Sequence, residues 1–122
     1  MQQLNLSNNY VAGIFAEFLA KLYLRLLCYK IIKSRYSAVR GSCAGEIDIV
    51  AKRGKILVFV EVKKRRTIDL AKESIFFKQQ MRIRKSAESF LAKYPRYIGY
   101  DVRFDAICFD RWFRFKYLRN AF

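Results

Sequence analysis

The segment GEIDIVAKRGKILVFVEVKKR, residues 45–65, sets three carboxylates, Glu46, Asp48 and Glu61, and one lysine, Lys63, within two runs of Ile, Val, Leu and Phe. Burying such charges is costly unless something compensates. Side chains alternate along a strand, so Glu46, Asp48 and Val50 share one face, as do Leu57, Phe59, Glu61 and Lys63 on the next strand. An even-numbered loop at KRGK, either Arg53 and Gly54 or the four residues from Lys52 to Lys55, brings the two faces to the same side. Glu46 then stands opposite Glu61 and Asp48 opposite Phe59, which leaves Asp48 diagonal to Glu61 at ~7–8 Å. The four-residue loop is the expected one, with Gly54 supplying a positive φ.

Carboxylates brought this close repel one another unless a cation lies between them. A hard divalent ion, Mg²⁺ or Mn²⁺, suits oxygen ligands and water. Lys63, on the same face as Glu61, would orient an attacking water or stabilise negative charge on a phosphate. The same residues also fit a cross-strand ion pair between Glu61 and Lys63 at a sheet edge, with Glu46 and Asp48 in solvent. Against that, ILVFV is apolar on both faces, as a central strand is.

Composition narrows the function classes. A chain of 122 residues, 53% hydrophobic, supports one domain spanning 1–122, with residues 1–9 read as a flexible N-terminal segment. The formal charge of +15 calls for a polyanionic partner, and the 16% aromatic content adds stacking faces, which places nucleic acid, DNA foremost, ahead of an anionic membrane. The chain has no histidine, so imidazole zinc sites, catalytic triads and His general bases are excluded. Cys28, Cys43 and Cys108 are isolated and odd in number, which indicates neither a disulfide framework nor a thiolate zinc site and suits a reducing cytoplasm. The start MQQLNLSNNY is unlike a secretory signal, and the apolar segment from Val11 to Cys28 is interrupted by Glu17, Lys21 and Arg25, which argues against a membrane span.

The elements that must position these groups follow from periodicity. A helix is expected from Tyr10 to Cys28, with Ser7, Asn8 and Asn9 as candidate caps and Glu17, Lys21 and Arg25 as a polar stripe. YKIIKSRYSAV reads as a strand and RGSCAG, residues 40–45, as a connection. After the two strands of the charged segment, residues 70–93 read as one helix with Ile75, Phe76, Ile83, Ala87, Phe90 and Leu91 toward the core, ended by Pro95. DVRFDAICF and FRFKYL read as final strands. The order αβββαββ predicts an α/β fold, a mixed sheet flanked by helices.

Asp48 followed by Glu-Val-Lys at the end of an apolar strand resembles the PD-(D/E)XK nuclease motif. Together with GIFAE (residues 13–17), GEIDIVA, FVEVKKR, FKQQMRIRKSAESFL (77–91), RFDAICF and the terminal NAF, it resembles the YraN family. That is an uncharacterised bacterial family described as endonuclease-like and likened to archaeal Holliday-junction resolvases. The resemblance implies a restriction-endonuclease-like fold, Asp48 and Glu61 as metal ligands, Lys63 as catalytic lysine and Glu17 completing the acidic site. It also implies that Lys78 or Gln79 reaches a phosphate. Glu17 could equally pair with Lys21 on a solvated helix face, and Arg103 with Asp105 in RFD reads as a structural pair.

Two functions compete. One is a metal-dependent endonuclease hydrolysing DNA phosphodiester bonds, branched DNA included. The other is a non-catalytic nucleic-acid-binding module that uses its basic residues, among them Arg40, Lys64, Arg65, Arg66, Lys78, Arg82, Arg84 and Lys85 with Gln79 beside them. A symmetric homodimer would suit two-fold DNA.

Overall fold

The computed structural model describes residues 2–37 and 46–122, with side chains from residue 8 onward. Arg40 and Cys43 lie outside the described residues. Helix α1 (Gln2–Leu26) is followed by strands β1 (Lys30–Tyr36), β2 (Ile47–Arg53) and β3 (Ile56–Lys64). Helices α2 (Ile68–Glu73) and α3 (Phe77–Lys93), a 3₁₀ turn at Pro95–Tyr97, and strands β4 (Asp101–Phe109) and β5 (Phe115–Leu118) complete the chain. The strands form one sheet in the order β1-β2-β3-β4-β5. β1 with β2, β2 with β3 and β4 with β5 pair antiparallel, whereas β3 and β4 pair parallel, the α2–α3 crossover lying between them. The α/β class and the mixed sheet flanked by helices are as expected.

Strand β3 is the middle of five, and every residue from Leu57 to Glu61 is buried. On one face Val58 and Val60 pack with Ile49, Ala51, Ile107 and Phe109 against α1, which presents Ala16, Ala20 and Leu24. Those three recur every fourth residue, and two of them are small enough to let the helix settle close to the sheet. On the other face Leu57, Phe59 and Val50 meet Ile83, Ala87 and Phe90 of α3, with the Phe59 and Phe90 rings 5.7 Å apart edge to face. Each fully buried apolar side chain contributes about 1.5–3 kcal/mol relative to exposure. This burial holds β3 in the centre and carries Glu61 inward with it.

Three expectations are corrected. Helix α1 starts at Gln2 rather than Tyr10. No Gly or Pro occurs before Gly13 to stop it, so Ser7, Asn8 and Asn9 are interior positions instead of caps. The single helix over 70–93 is two. Thr67 caps α2 by accepting from Leu70 N–H, Ser74 Oγ closes it on the Ala71 carbonyl at 2.7 Å, and Phe76 is extended, with ψ 159°, before α3 restarts. Phe76 therefore projects into solvent, 67% exposed, and is not a core residue. Finally, the hairpin loop is the two residues Gly54 and Lys55, flanked by the pair Arg53↔Ile56. Gly54 is the first central residue, with φ +60°, a conformation that only glycine adopts without strain.

Arg103 and Asp105 form the expected structural pair at 2.9 Å, within a larger network. Fully buried Asp105 also accepts from Tyr117 Oη and from Asn120 N–H at 2.9 Å, while Arg103 donates to Tyr29 Oη at 2.6 Å. This ties β4, β5, the C-terminal turn and the residue just before β1 together. Asp105→Ala, which strands the Arg103 guanidinium, should lower the unfolding free energy by about 3 kcal/mol in urea titrations. Tyr117→Phe, which removes one hydrogen bond, should cost only about 1 kcal/mol.

Candidate active site

The paired ladder of β2 and β3 runs from Arg53↔Ile56 to Ile49↔Val60. Continuing that register sets Asp48 directly opposite Glu61, one step closer than the diagonal placement expected and two residues away from the expected partner Phe59. The even loop kept both acids on one face, and its position one residue later, at Gly54 and Lys55, moved the register. Beyond Val60 the strands exchange a different bond: Val62 N–H donates to the Asp48 carboxylate, Oδ2, at 2.7 Å. Asp48 thus occupies the point where β2 parts from β3.

Glu61 is 3% exposed. Its Oε1 accepts from Lys63 Nζ at 3.1 Å and from Gln79 Nε2, in the first turn of α3, at 3.2 Å. Its Oε2 is buried with no hydrogen-bond partner. Lys63 comes from the same strand two residues on, so strand alternation aims its ammonium at the same side of the sheet. The ion pair between Glu61 and Lys63 does form, but at the end of a central strand and facing a second, half-buried acid.

Glu17 approaches from α1. It does not pair with Lys21. Arg35 on β1 binds its Oε2 through Nε and Nη2 at 3.0 and 2.8 Å, and Oε1 is buried without a partner. Arg35 has φ +52°, beside an irregularity in the β1–β2 register between Ile31 and Lys33. Nothing in the strand-like run KIIKSRY singles Arg35 out, so its role was not legible beforehand. Glu17, Arg35, exposed Glu46 and Asp48 line one cleft together with Gly13 and Val62.

The electrostatics follow from burial. Loss of hydration, reinforced by the negative charge of Glu61, pushes the Asp48 carboxyl up to about 8, although the Val62 N–H acts in the opposite direction. Burial raises Glu61 as well, despite the adjacent Lys63. Two acids facing each other in this setting hold a proton between them near neutrality unless a cation replaces it.

The donor set fits Mg²⁺ or Mn²⁺. Asp48 and Glu61 offer hard oxygens, and the orphaned Oε2 of Glu61 and Oε1 of Glu17 lack donors that a cation would replace. Among the described residues no three Asp, Glu, His or Cys side chains gather into a closed metal cluster. An ion here would keep several waters, as Mg²⁺ bound by one or two carboxylates does.

The remaining expected contacts separate into groups. Lys78, Arg82 and Lys85 lie exposed along α3, whereas Gln79 turns inward to Glu61. Arg84 stacks its guanidinium over Phe104, 4.6 Å from the ring centre. Lys64 ends β3, and Arg65 and Arg66 follow it directly. Among the described residues no helix is long and apolar enough to cross a membrane.

A carboxyl whose folded pKa exceeds its unfolded value keeps a proton that the unfolded chain gives up. Stability from this source is therefore fullest below about pH 4 and falls as pH rises through about 8. In EDTA, wild-type unfolding free energy should decline across this window, and Asp48→Asn should flatten the decline and gain at least ~2 kcal/mol at its upper end. Denaturant titrations across the pH range measure both. A loss of stability in Asp48→Asn would contradict the like-charge pair of Asp48 and Glu61.

A family model described as "Uncharacterised protein family UPF0102" matches residues 16–109. A UPF0102 protein of Paramagnetospirillum magneticum is 46% identical over 100 residues, covering 82% of this chain and 78% of that one. One from Parvibaculum lavamentivorans is 41% identical over 98 residues, 80% and 71% of the two chains, and one from Methylorubrum extorquens 38% over 112 residues, 90% and 83%. All the acids and the lysine of the site fall within the matched range. The chain belongs to the uncharacterised protein family UPF0102, the YraN family.

Proposed function

We propose that this protein is a metal-dependent endonuclease that hydrolyses phosphodiester bonds in DNA. The observation that carries the reading is the pairing of half-buried Asp48 with buried Glu61 at the end of the central strand, with Lys63 Nζ 3.1 Å from Glu61 Oε1. A purely structural role would favour replacing one of the two acids by a neutral residue, because the fold gains nothing from their repulsion. The formal charge of +15 supports a polyanionic substrate.

Bound at these carboxylates, Mg²⁺ or Mn²⁺ would supply Lewis-acid neutralisation of a phosphate and acidify a water for attack. The chain's own residues do the positioning. Val62 N–H fixes the rotamer of Asp48, and Gln79 with Lys63 fixes that of Glu61, leaving Oδ1 of Asp48 and Oε2 of Glu61 for the cation. Arg35 holds Glu17 at the rim of the same cleft, where its free Oε1 can accept from a coordinated water. The Lys63 ammonium is the donor best placed to orient the nucleophile or to stabilise negative charge growing on a non-bridging phosphate oxygen. Lys78, at the exposed start of α3, is within the same turn as Gln79 and is the candidate contact to an adjacent phosphate. Branched DNA is the substrate class that the resemblance implies, and a homodimer would present two such sites to it.

Purified protein incubated with Mg²⁺ or Mn²⁺ should nick at least one of supercoiled, forked or four-way DNA. Asp48→Ala and Glu61→Ala should abolish nicking, Lys63→Ala should slow it ~10²-fold, and Gln79→Ala should weaken metal dependence ~10-fold by freeing Glu61. Turnover unaffected by Asp48→Ala would refute the assignment.

A further inference from the structure

Three clefts on the surface share walls. The acidic cleft with Glu17 and Asp48 shares Asn9, Gly13 and Val62 with a second cleft lined by Lys63, Lys64, Arg65 and Arg66. That second cleft shares Arg66 and Arg111 with a third, which ends at Trp112. Their shared residues set the three clefts in a row, from Glu17, Glu46 and Asp48 to the turn between β4 and β5.

Its walls are built by strand pairing. β3 and β4 run parallel to the pair Lys64↔Phe109, after which Arg65 N–H bonds the Phe109 carbonyl at 3.1 Å. The basic run that follows β3 is thereby laid beside Arg111. Among the described residues, Lys64, Arg65, Arg66 and Arg111 share no ion pair with a carboxylate. The acids at the far end are Asp69 and Asp110, and Asp110 is neutralised by Arg114 at 2.7 Å.

The backbone of the turn that carries Trp112 is fixed by Asp110. Asp110 Oδ1 accepts from Trp112 N–H at 2.8 Å and from Arg114 N–H at 3.0 Å, while Phe113 N–H bonds the Asp110 carbonyl at 3.1 Å. The indole is nevertheless 66% exposed, with the Arg111 guanidinium 5.1 Å from its ring centre. An exposed aromatic face at the end of a cationic groove is the arrangement that binds unpaired strands: cations follow the phosphates and the ring stacks a base that a duplex would keep paired.

We propose that this groove is the track of an unpaired DNA strand, with phosphates held by Arg65, Arg66 and Arg111, one base stacked on Trp112, and the strand leading to Asp48 and Glu61. That the strand is led there to be cut rests on the nuclease reading, whereas the binding track does not. Gly13 lies where the first two clefts meet, and a Cβ there would touch nothing within 4 Å, so the passage is open at that point.

Trp112 is the chain's sole tryptophan, so its emission reports directly on the track. Short oligothymidine added to the wild-type protein in EDTA should quench it saturably, and a blunt duplex of equal length should quench it far less. By anisotropy of a labelled oligothymidine, Trp112→Ala should weaken binding ~10-fold, Trp112→Phe should restore most of it, and Gly13→Glu should weaken it by intruding a carboxylate. Arg66→Ala and Arg111→Ala should each lower the slope of log affinity against log salt by about 0.7. Arg96→Ala, beside Lys30 and Lys52 at the other end of the strands, should change nothing. No quenching, equal quenching by duplex, or tighter binding of oligouridine than of oligothymidine would overturn the track. Because the measurement needs no turnover, intact quenching without nicking would sink the nuclease reading and spare the groove. Nicking without quenching would do the reverse.

Discussion

Two carboxyl groups with too little water and too few donors face each other at the end of the central strand, and much of the molecule's architecture is arranged around that pair. Asp48 and Glu61 are brought together by the pairing of β2 with β3, held by Val62, Gln79 and Lys63, and pushed toward protonation first by their loss of hydration and, for Asp48, by the charge of Glu61 as well. Isolated, such a pair is a liability for stability. The sheet supports it because β3 is anchored by apolar contacts on both faces, with α1 on one side and α3 on the other. The stability of the core and the instability of the site are two ends of one strand.

The supporting residues come from distant parts of the chain. Arg35 reaches Glu17 from β1, and Gln79 reaches Glu61 from the start of α3. Each holds one carboxylate oxygen and leaves its partner oxygen bare. The break between α2 and α3 matters here, since a continuous helix would carry Gln79 along a different line; restarting at Phe77 is what brings its amide to Glu61. Carboxylates fixed in rotamer but incompletely satisfied are poised for an additional electropositive partner.

Net charge alone does not say where a polyanion would lie, and the exposed lysines and arginines are spread over most elements. Parallel pairing of β3 with β4 concentrates a subset by placing the run from Lys63 to Arg66 beside Arg111. The Asp110-capped turn then sets an indole at the end of that run. The cationic surface therefore has a direction, which starts at the acids.

The identity of the strands, the central place of β3 and the common face of Asp48 and Glu61 were written in local pattern, because alternation and apolar runs are short-range consequences of backbone geometry. The resemblance through GEIDIVA and FVEVKKR likewise rested on contiguous residues. The register was not available, since it turned on whether Gly54 stood first or second in a two-residue loop or inside a four-residue one, a choice made by backbone dihedrals. Phe76 was misplaced for a similar reason: the hydrophobic period ran on past the point where Ser74 closes α2. Arg35, Arg111 and Trp112 gave no local signal at all. Their neighbours in space are residues 18, 45 and 46 positions away, Glu17, Arg66 and Arg66 in turn, and only tertiary pairing brings them there. Sequence determined which segments are strands and which acids share a face, because those depend on residues a few places apart; tertiary structure alone decided what each acid and each cation touches, because that depends on how the strands pair and cross.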